Sequence, residues 1–256
     1  MALLKEQKVD RLVVKQYGSR LEMGKAVAEE AKGILANIIA EKGEVNIIFA
    51  AAPSQNEVLA SLLECEEIDW SCVNAMHMDE YVGLPCGDEH SFARYLDDHI
   101  FGQRKMKSVE YIRGYASDPA EECRRYAEVL TQTPPDVVFL GIGENGHIAF
   151  NDPGVAKFGD PEVIKIAKLD EKCRTQQVND GCFPSLDQVP THALTLTIPT
   201  LMSAKHLFCA VPAATKAEAV RATVEGPVTE DCPATVMRNH PHATLYLDPD
   251  SGKLLS

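Results

Sequence analysis

Val45-Asn46-Ile47-Ile48-Phe49-Ala50-Ala51 is a short, almost unbroken apolar run that ends at the turn Ala52-Pro53-Ser54-Gln55. A run of that length closed by a turn signal reads as a buried strand. Cys72 to Met76, Pro135 to Leu140 and Lys205 to Val211 read the same way. Leu194 to Ile198 alternates apolar residues with threonine, and Ala243 to Leu247 is a final short strand. Between these runs, Ser19 to Glu41 predicts a helix: Ser19 and Glu22 form a capping box, and Leu21, Ala28, Leu35 and Ile38 recur at helical spacing. Further helices are expected at Gln55 to Glu64, Ser91 to Phe101, Pro119 to Thr131 and Thr215 to Val224.

Strands separated by helices require crossover connections, so the expected fold class is α/β: a single domain over residues 1–256, with a doubly wound, mainly parallel sheet and helices on both faces. Residues 151 to 192 show little periodicity and are rich in Asp, Gly, Pro and Lys, which reads as a lid or binding loop. In open sheets of this kind ligands bind in the crevice beyond the carboxyl ends of the strands. Ala52 to Gln55, His77 to Gly83 and Gly141 to Phe150 all follow strand-like runs, so the topology can gather them there.

The chain has 256 residues, 45% of them hydrophobic, and a formal net charge of -13. That charge argues against nucleic acid and against an anionic membrane surface as partners. It also means that an anionic ligand must be held by local N–H groups and a few cations. The eight cysteines contain no CxxC pair, and no HExxH or Cys/His ligand spacing occurs, so neither a metal nor another cofactor is expected. The charged N-terminus lacks a signal-type apolar core, and no apolar run approaches the roughly 20 residues of a membrane span. A cytoplasmic protein is expected. A homo-oligomer is compatible with the sequence, which does not fix the number of subunits.

Gly141-Ile142-Gly143-Glu144-Asn145-Gly146 matches GxGxxG after a strand, the spacing of a dinucleotide-binding turn. The context differs: His147 to Gly154 runs into a turn-rich stretch where that motif would open a helix, and no strand ending in an acidic residue follows about 20 positions later. Taken singly, the glycines read as a tight turn, His147 as a hydrogen-bonded structural residue, and Asp79 with Glu80 as a solvated strand edge or helix cap.

Together, Met78-Asp79-Glu80-Tyr81-Val82-Gly83-Leu84-Pro85 and Gly143-Glu144-Asn145-Gly146-His147-Ile148-Ala149-Phe150-Asn151-Asp152-Pro153 resemble the two signature loops of glucosamine-6-phosphate deaminases. The similarity continues through Gln188-Val189-Pro190, Ala193-Leu194-Thr195, Thr215-Lys216-Ala217 and Val224-Glu225-Gly226. It implies a sugar-phosphate substrate and an aldose–ketose isomerisation coupled to loss of ammonia. It casts Asp79 as the base that moves a carbon-bound proton and His147 as the group that assists ring opening. Asp152 becomes the acidic partner of His147, and Glu80 and Asn145 are supporting polar residues. Ser54, Gln55, Gly143, Gly146 and Lys216 are the expected substrate-binding residues. Within the same fold the alternatives are a non-catalytic sugar-phosphate sensor and a 6-phosphogluconolactonase-like hydrolase; the lactonase signature differs at Asp79-Glu80-Tyr81 and Ile148-Ala149-Phe150.

The chain departs from the family in several places. Asn145 stands where the family usually has Asp, and Asp152 where it has Glu. Ala52-Pro53-Ser54-Gln55-Asn56 lacks the family's paired glycines at the phosphate turn. The family's phosphate arginine, expected between Asn179 and Phe183, is absent; Arg174 is the nearest substitute in sequence.

Overall fold

The computed structural model describes residues 2–256. In chain order its elements are β1 (Leu3–Val9), β2 (Leu12–Tyr17), α1 (Arg20–Lys42), β3 (Val45–Phe49), α2 (Asn56–Leu63), β4 (Val73–His77), β5 (Asp79–Tyr81), α3 (Phe92–His99), β6 (Ser108–Glu110), α4 (Pro119–Gln132), β7 (Val137–Leu140), β8 (Ile164–Lys168), α5 (Glu171–Asn179), β9 (His192–Leu196), α6 (Ile198–Met202), β10 (His206–Val211), α7 (Ala217–Glu225) and β11 (Ala243–Leu247). Eight strands form one sheet in the order β1-β2-β11-β10-β7-β3-β4-β6. All its pairings are parallel except the β1–β2 hairpin. The expected doubly wound α/β fold is therefore observed.

The apolar runs follow from burial on both faces of the sheet. Ile47 and Phe49 of β3 enter a core with α1, α2 and α3, while Ile48 between them enters the opposite core with α4, α6 and α7. Strands β7 and β10 divide in the same way. On the α1 side an aromatic ladder crosses the sheet: Phe49 stacks on Phe139 at 5.4 Å, Phe139 on Phe208 at 5.3 Å, and Phe208 on Tyr246 at 6.2 Å. At the start of α1, Ser19 accepts from the Glu22 N–H at 3.2 Å, while the Glu22 carboxylate takes the Ala2 N–H at 3.2 Å. The capping box is thus half made, and its acidic half ties down the chain's start.

Two expectations are corrected, and one element was not anticipated. The chain begins with a hairpin whose outer strand, β1, is exposed along most of its length and carries Lys5, Glu6 and Lys8; charged edge strands resist pairing with other chains but hide the apolar signal. The run Leu194 to Ile198 is split: β9 ends at Leu196, and Ile198 opens α6. Residues 151 to 192 are not an unstructured lid, because β8 and α5 lie within them. Strand β8 pairs with β9, and β9 with β5, in a second, antiparallel sheet of three strands.

Candidate active site

A crevice opens where β3, β4, β7 and β10 end at their carboxyl sides. Ala50 to Gln55 line it after β3, Met78 and Asp79 after β4, Gly141 to Gly143 after β7, and Pro212, Ala213, Thr215 and Lys216 after β10. The small sheet registers these loops. Asp79 pairs with Thr195, and the Thr195 hydroxyl accepts the Phe150 N–H at 3.0 Å. The Leu196 N–H donates to the Met78 carbonyl at 2.8 Å, and the Asn151 amide donates to the Leu196 carbonyl at 2.8 Å. One strand, β9, therefore sets both signature loops against each other.

Asp79 is held from behind by His77. The buried His77 ring accepts the Ile112 N–H at Nε2 (2.9 Å), which leaves Nδ1–H to donate to the Asp79 carbonyl at 2.9 Å. Desolvation pushes His77 down to about 4, so it is a neutral positioning group. The Asp79 carboxyl faces the crevice and is raised well above the ordinary carboxylate range, first by burial and then by the Glu80 charge. A carboxylate with a raised pKa is a stronger base for a carbon-bound proton.

His147 also lines the crevice, and its Nδ1 is fully engaged on the far side. Nδ1 lies 2.7 Å from Asn145 Oδ1 and 2.9 Å from Asp152 Oδ1, and the Asn145 amide donates to the same Asp152 oxygen at 2.9 Å. Burial alone would raise Asp152, but contacts from His147, Asn145 and Cys173 hold it below its usual value. With Nδ1 engaged by Asn145 and Asp152, Nε2 is the nitrogen available to a ligand. Gly143 makes the ring's position possible, since a Cβ there would sit 2.1 Å from His147 Cε1. The substituted position 145 therefore belongs to the histidine's support and does not contact Asp79 through any hydrogen bond.

At the other end, Lys216 is only 5% exposed, and desolvation lowers its pKa while Asp180 and Glu144 oppose that shift. It follows Ala213, whose φ of 85° is unusual for a residue with a Cβ and is held by the Asp248 carboxylate accepting the Ala213 N–H at 3.1 Å. Gln55 donates to the Ala210 carbonyl at 3.1 Å and to Ser54 Oγ at 3.1 Å.

Asp79, His147, Ser54, Gln55, Gly143 and Lys216 thus share one crevice, with Asn145 and Asp152 directly behind His147. Two expected residues do not reach it. The Glu80 carboxylate turns away and accepts the Tyr81, Phe92 and Ala93 N–H groups at 2.9, 3.1 and 2.9 Å, capping α3. Alternation along β5 dictates this, because neighbours on a strand point to opposite faces. Gly146 is a turn residue with φ 85°, and a Cβ on it would lie 2.7 Å from the Cys232 sulfur. Arg174 is spent on the Val189 and Leu186 carbonyls and does not line the crevice. Unanticipated lining residues are Arg20, Gln176, Gln177 and Asp180. Helix α5 and its C-cap Asp180 bring the last three, and the helix has almost no sequence periodicity to betray it.

A family model described as glucosamine-6-phosphate isomerases/6-phosphogluconolactonase matches residues 18–246. A glucosamine-6-phosphate deaminase of Listeria welshimeri is 38% identical over 213 residues, covering 83% of this chain and 89% of the relative. One from Bacillus cereus is 36% identical over 245 residues, covering 96% and 88%. Among solved structures, a monomeric glucosamine-6-phosphate deaminase is similar with a TM-score of 0.85 at 32% identity, covering 94% of this chain and 99% of that one. The 6-phosphogluconolactonase of Trypanosoma brucei reaches a TM-score of 0.77 over 98% of this chain and 100% of its own, but at 16% identity, a likeness of fold alone.

Proposed function

Because the chain belongs to the family of glucosamine-6-phosphate isomerases and 6-phosphogluconolactonases, we infer that it is an enzyme converting glucosamine 6-phosphate and water into fructose 6-phosphate and ammonium. The observation that carries this reading is the pairing of two available groups on one side of the crevice: the Asp79 carboxyl and the His147 imidazole, the latter backed by Asp152.

The reaction divides between them. His147 Nε2 relays the C1 hydroxyl proton to the ring oxygen, which opens the sugar to its aldehyde. Asp79 then removes the C2 proton while the aldehyde oxygen takes up a proton from water, giving an enolamine, and returns its proton to C1, leaving an iminium at C2. Water adds to that carbon and ammonia departs. Lys216 anchors the phosphate. Eight free cysteines suit a reducing compartment such as the cytoplasm. No helix among the described residues is long and apolar enough to cross a membrane.

The test is a coupled assay on the purified protein for ammonium and fructose 6-phosphate released from glucosamine 6-phosphate. Equal amounts of both products are expected. Hydrolysis of 6-phosphogluconolactone in their place would sink this reading in favour of the other activity named in the family.

A further inference from the structure

We propose that Arg20, in the first turn of α1, is the second cation of the phosphate subsite and shares the sugar phosphate with Lys216. The proposal rests on the reading that the substrate is a sugar phosphate, and it assigns a residue whose sequence context gives no hint of that role.

Charge balance leads to Arg20. A phosphate monoester carries about −1.5 to −2 charges at neutral pH. Apart from His147, only Arg20 and Lys216 among the residues lining the crevice can bring a positive charge. Asp180 lines the same crevice and offsets part of the Lys216 charge, so Lys216 alone does not match a phosphate. The whole chain, at -13, adds repulsion.

The backbone of the turn after β3 supplies little of the difference. A turn leading into a helix ordinarily offers several N–H groups to an anion. Here Pro53 has none, the Gln55 N–H donates to the Ala52 carbonyl at 2.8 Å, and the Asn56 N–H donates to the Pro53 carbonyl. The Ser54 N–H is the one left in the turn. A second fixed cation would complement Lys216, and Arg174 is held elsewhere by two carbonyls.

Arg20 is placed for the task. It donates to the Pro53 carbonyl through Nη2, and its Nε pairs with Glu57 at 2.7 Å, so the guanidinium is pinned beside the turn. A guanidinium has five N–H donors in a planar fork, so donors remain for phosphate oxygens. Its side chain is 36% exposed, open to an entering ligand in a way that buried Lys216 is not. Glu57 both holds Arg20 and competes with the phosphate for it.

The experiment uses the full chain, with inorganic phosphate binding followed by calorimetry and KM for glucosamine 6-phosphate followed by ammonium release. Arg20→Met should weaken phosphate binding and raise KM by at least about tenfold, the loss expected for one charge-assisted hydrogen-bonded contact, with kcat nearly unchanged. Arg20→Lys, which keeps the charge and loses the fork, should fall between wild type and Arg20→Met. Glu57→Gln should leave phosphate binding equal or tighter, whereas a merely structural Arg20–Glu57 pair would lower thermal stability in both variants and leave phosphate affinity alone. Wild-type phosphate affinity and KM in folded Arg20→Met would overturn the proposal. Arg20-dependent phosphate binding without ammonium release would overturn the proposed reaction and leave this assignment standing.

Discussion

The two ends of the crevice differ in who satisfies their polar groups. Around Asp79 and His147 the chain does it internally: His77 holds the Asp79 backbone, Asp152 and Asn145 hold His147 Nδ1, and Thr195 ties the two loops together. At the Arg20 and Lys216 end, charge is left in reserve: a desolvated ammonium, a half-exposed guanidinium and a carboxylate, Asp180, beside them. The first arrangement is preorganised for proton transfer, where misplacement is costly. The second is organised around a charge that the ligand must bring.

If that contrast is right, substitutions at the first end act on kcat and those at the second on KM. The largest effect is expected from Asp79→Asn, which should lower kcat by about 10²–10⁴ while sugar-phosphate binding is retained; steady-state kinetics with parallel calorimetry separates the two. Lys216→Met should raise KM by roughly ten- to a hundredfold with a much smaller change in kcat. Asp152→Asn removes the charged partner of His147 Nδ1 and should cost about 10–100-fold in kcat with KM little changed. A KM effect without a kcat effect in Asp152→Asn would break the division.

Thr195→Val tests the seam between the loops. It leaves the Phe150 N–H buried without its acceptor and should cost about 1–3 kcal/mol of stability by denaturant titration, with kcat falling alongside. The smallest expected effect is at Glu80. Burial raises its carboxyl from 4.5 to about 7 despite three N–H donors, so the folded state holds that proton more tightly than the unfolded one. Its contribution to stability is full below 4.5 and declines as pH rises through about 7. Glu80→Gln should flatten that slope in thermal melts between those pH values and leave KM almost untouched.

The same contrast separates what could be read in the sequence from what could not. The parallel strands were legible because burial on both faces makes β3, β7 and β10 continuously apolar. The catalytic end was legible because its side chains lie on two short contiguous loops. Helix α5 was not: it is polar, and its value lies in bringing Gln176, Gln177 and Asp180 to a crevice whose walls come from distant segments. Arg20 looks in sequence like an ordinary first-turn residue, and only the fold sets it against Pro53. Glu80, cast by the resemblance as a supporting residue, turns out of the crevice by strand alternation and caps α3, a placement that only the fold reveals. The hairpin of β1 and β2 escaped notice because charges on the edge strand mask its pairing.

The central claim is that Asp79 carries the proton between C2 and C1. It is tested most directly by incubating the protein with fructose 6-phosphate and ammonium in deuterated water and following the sugar C1 by NMR. Wild type should introduce deuterium at C1, and Asp79→Asn should introduce none while still binding the sugar phosphate. Labelling of C1 by Asp79→Asn at the wild-type rate would contradict the account.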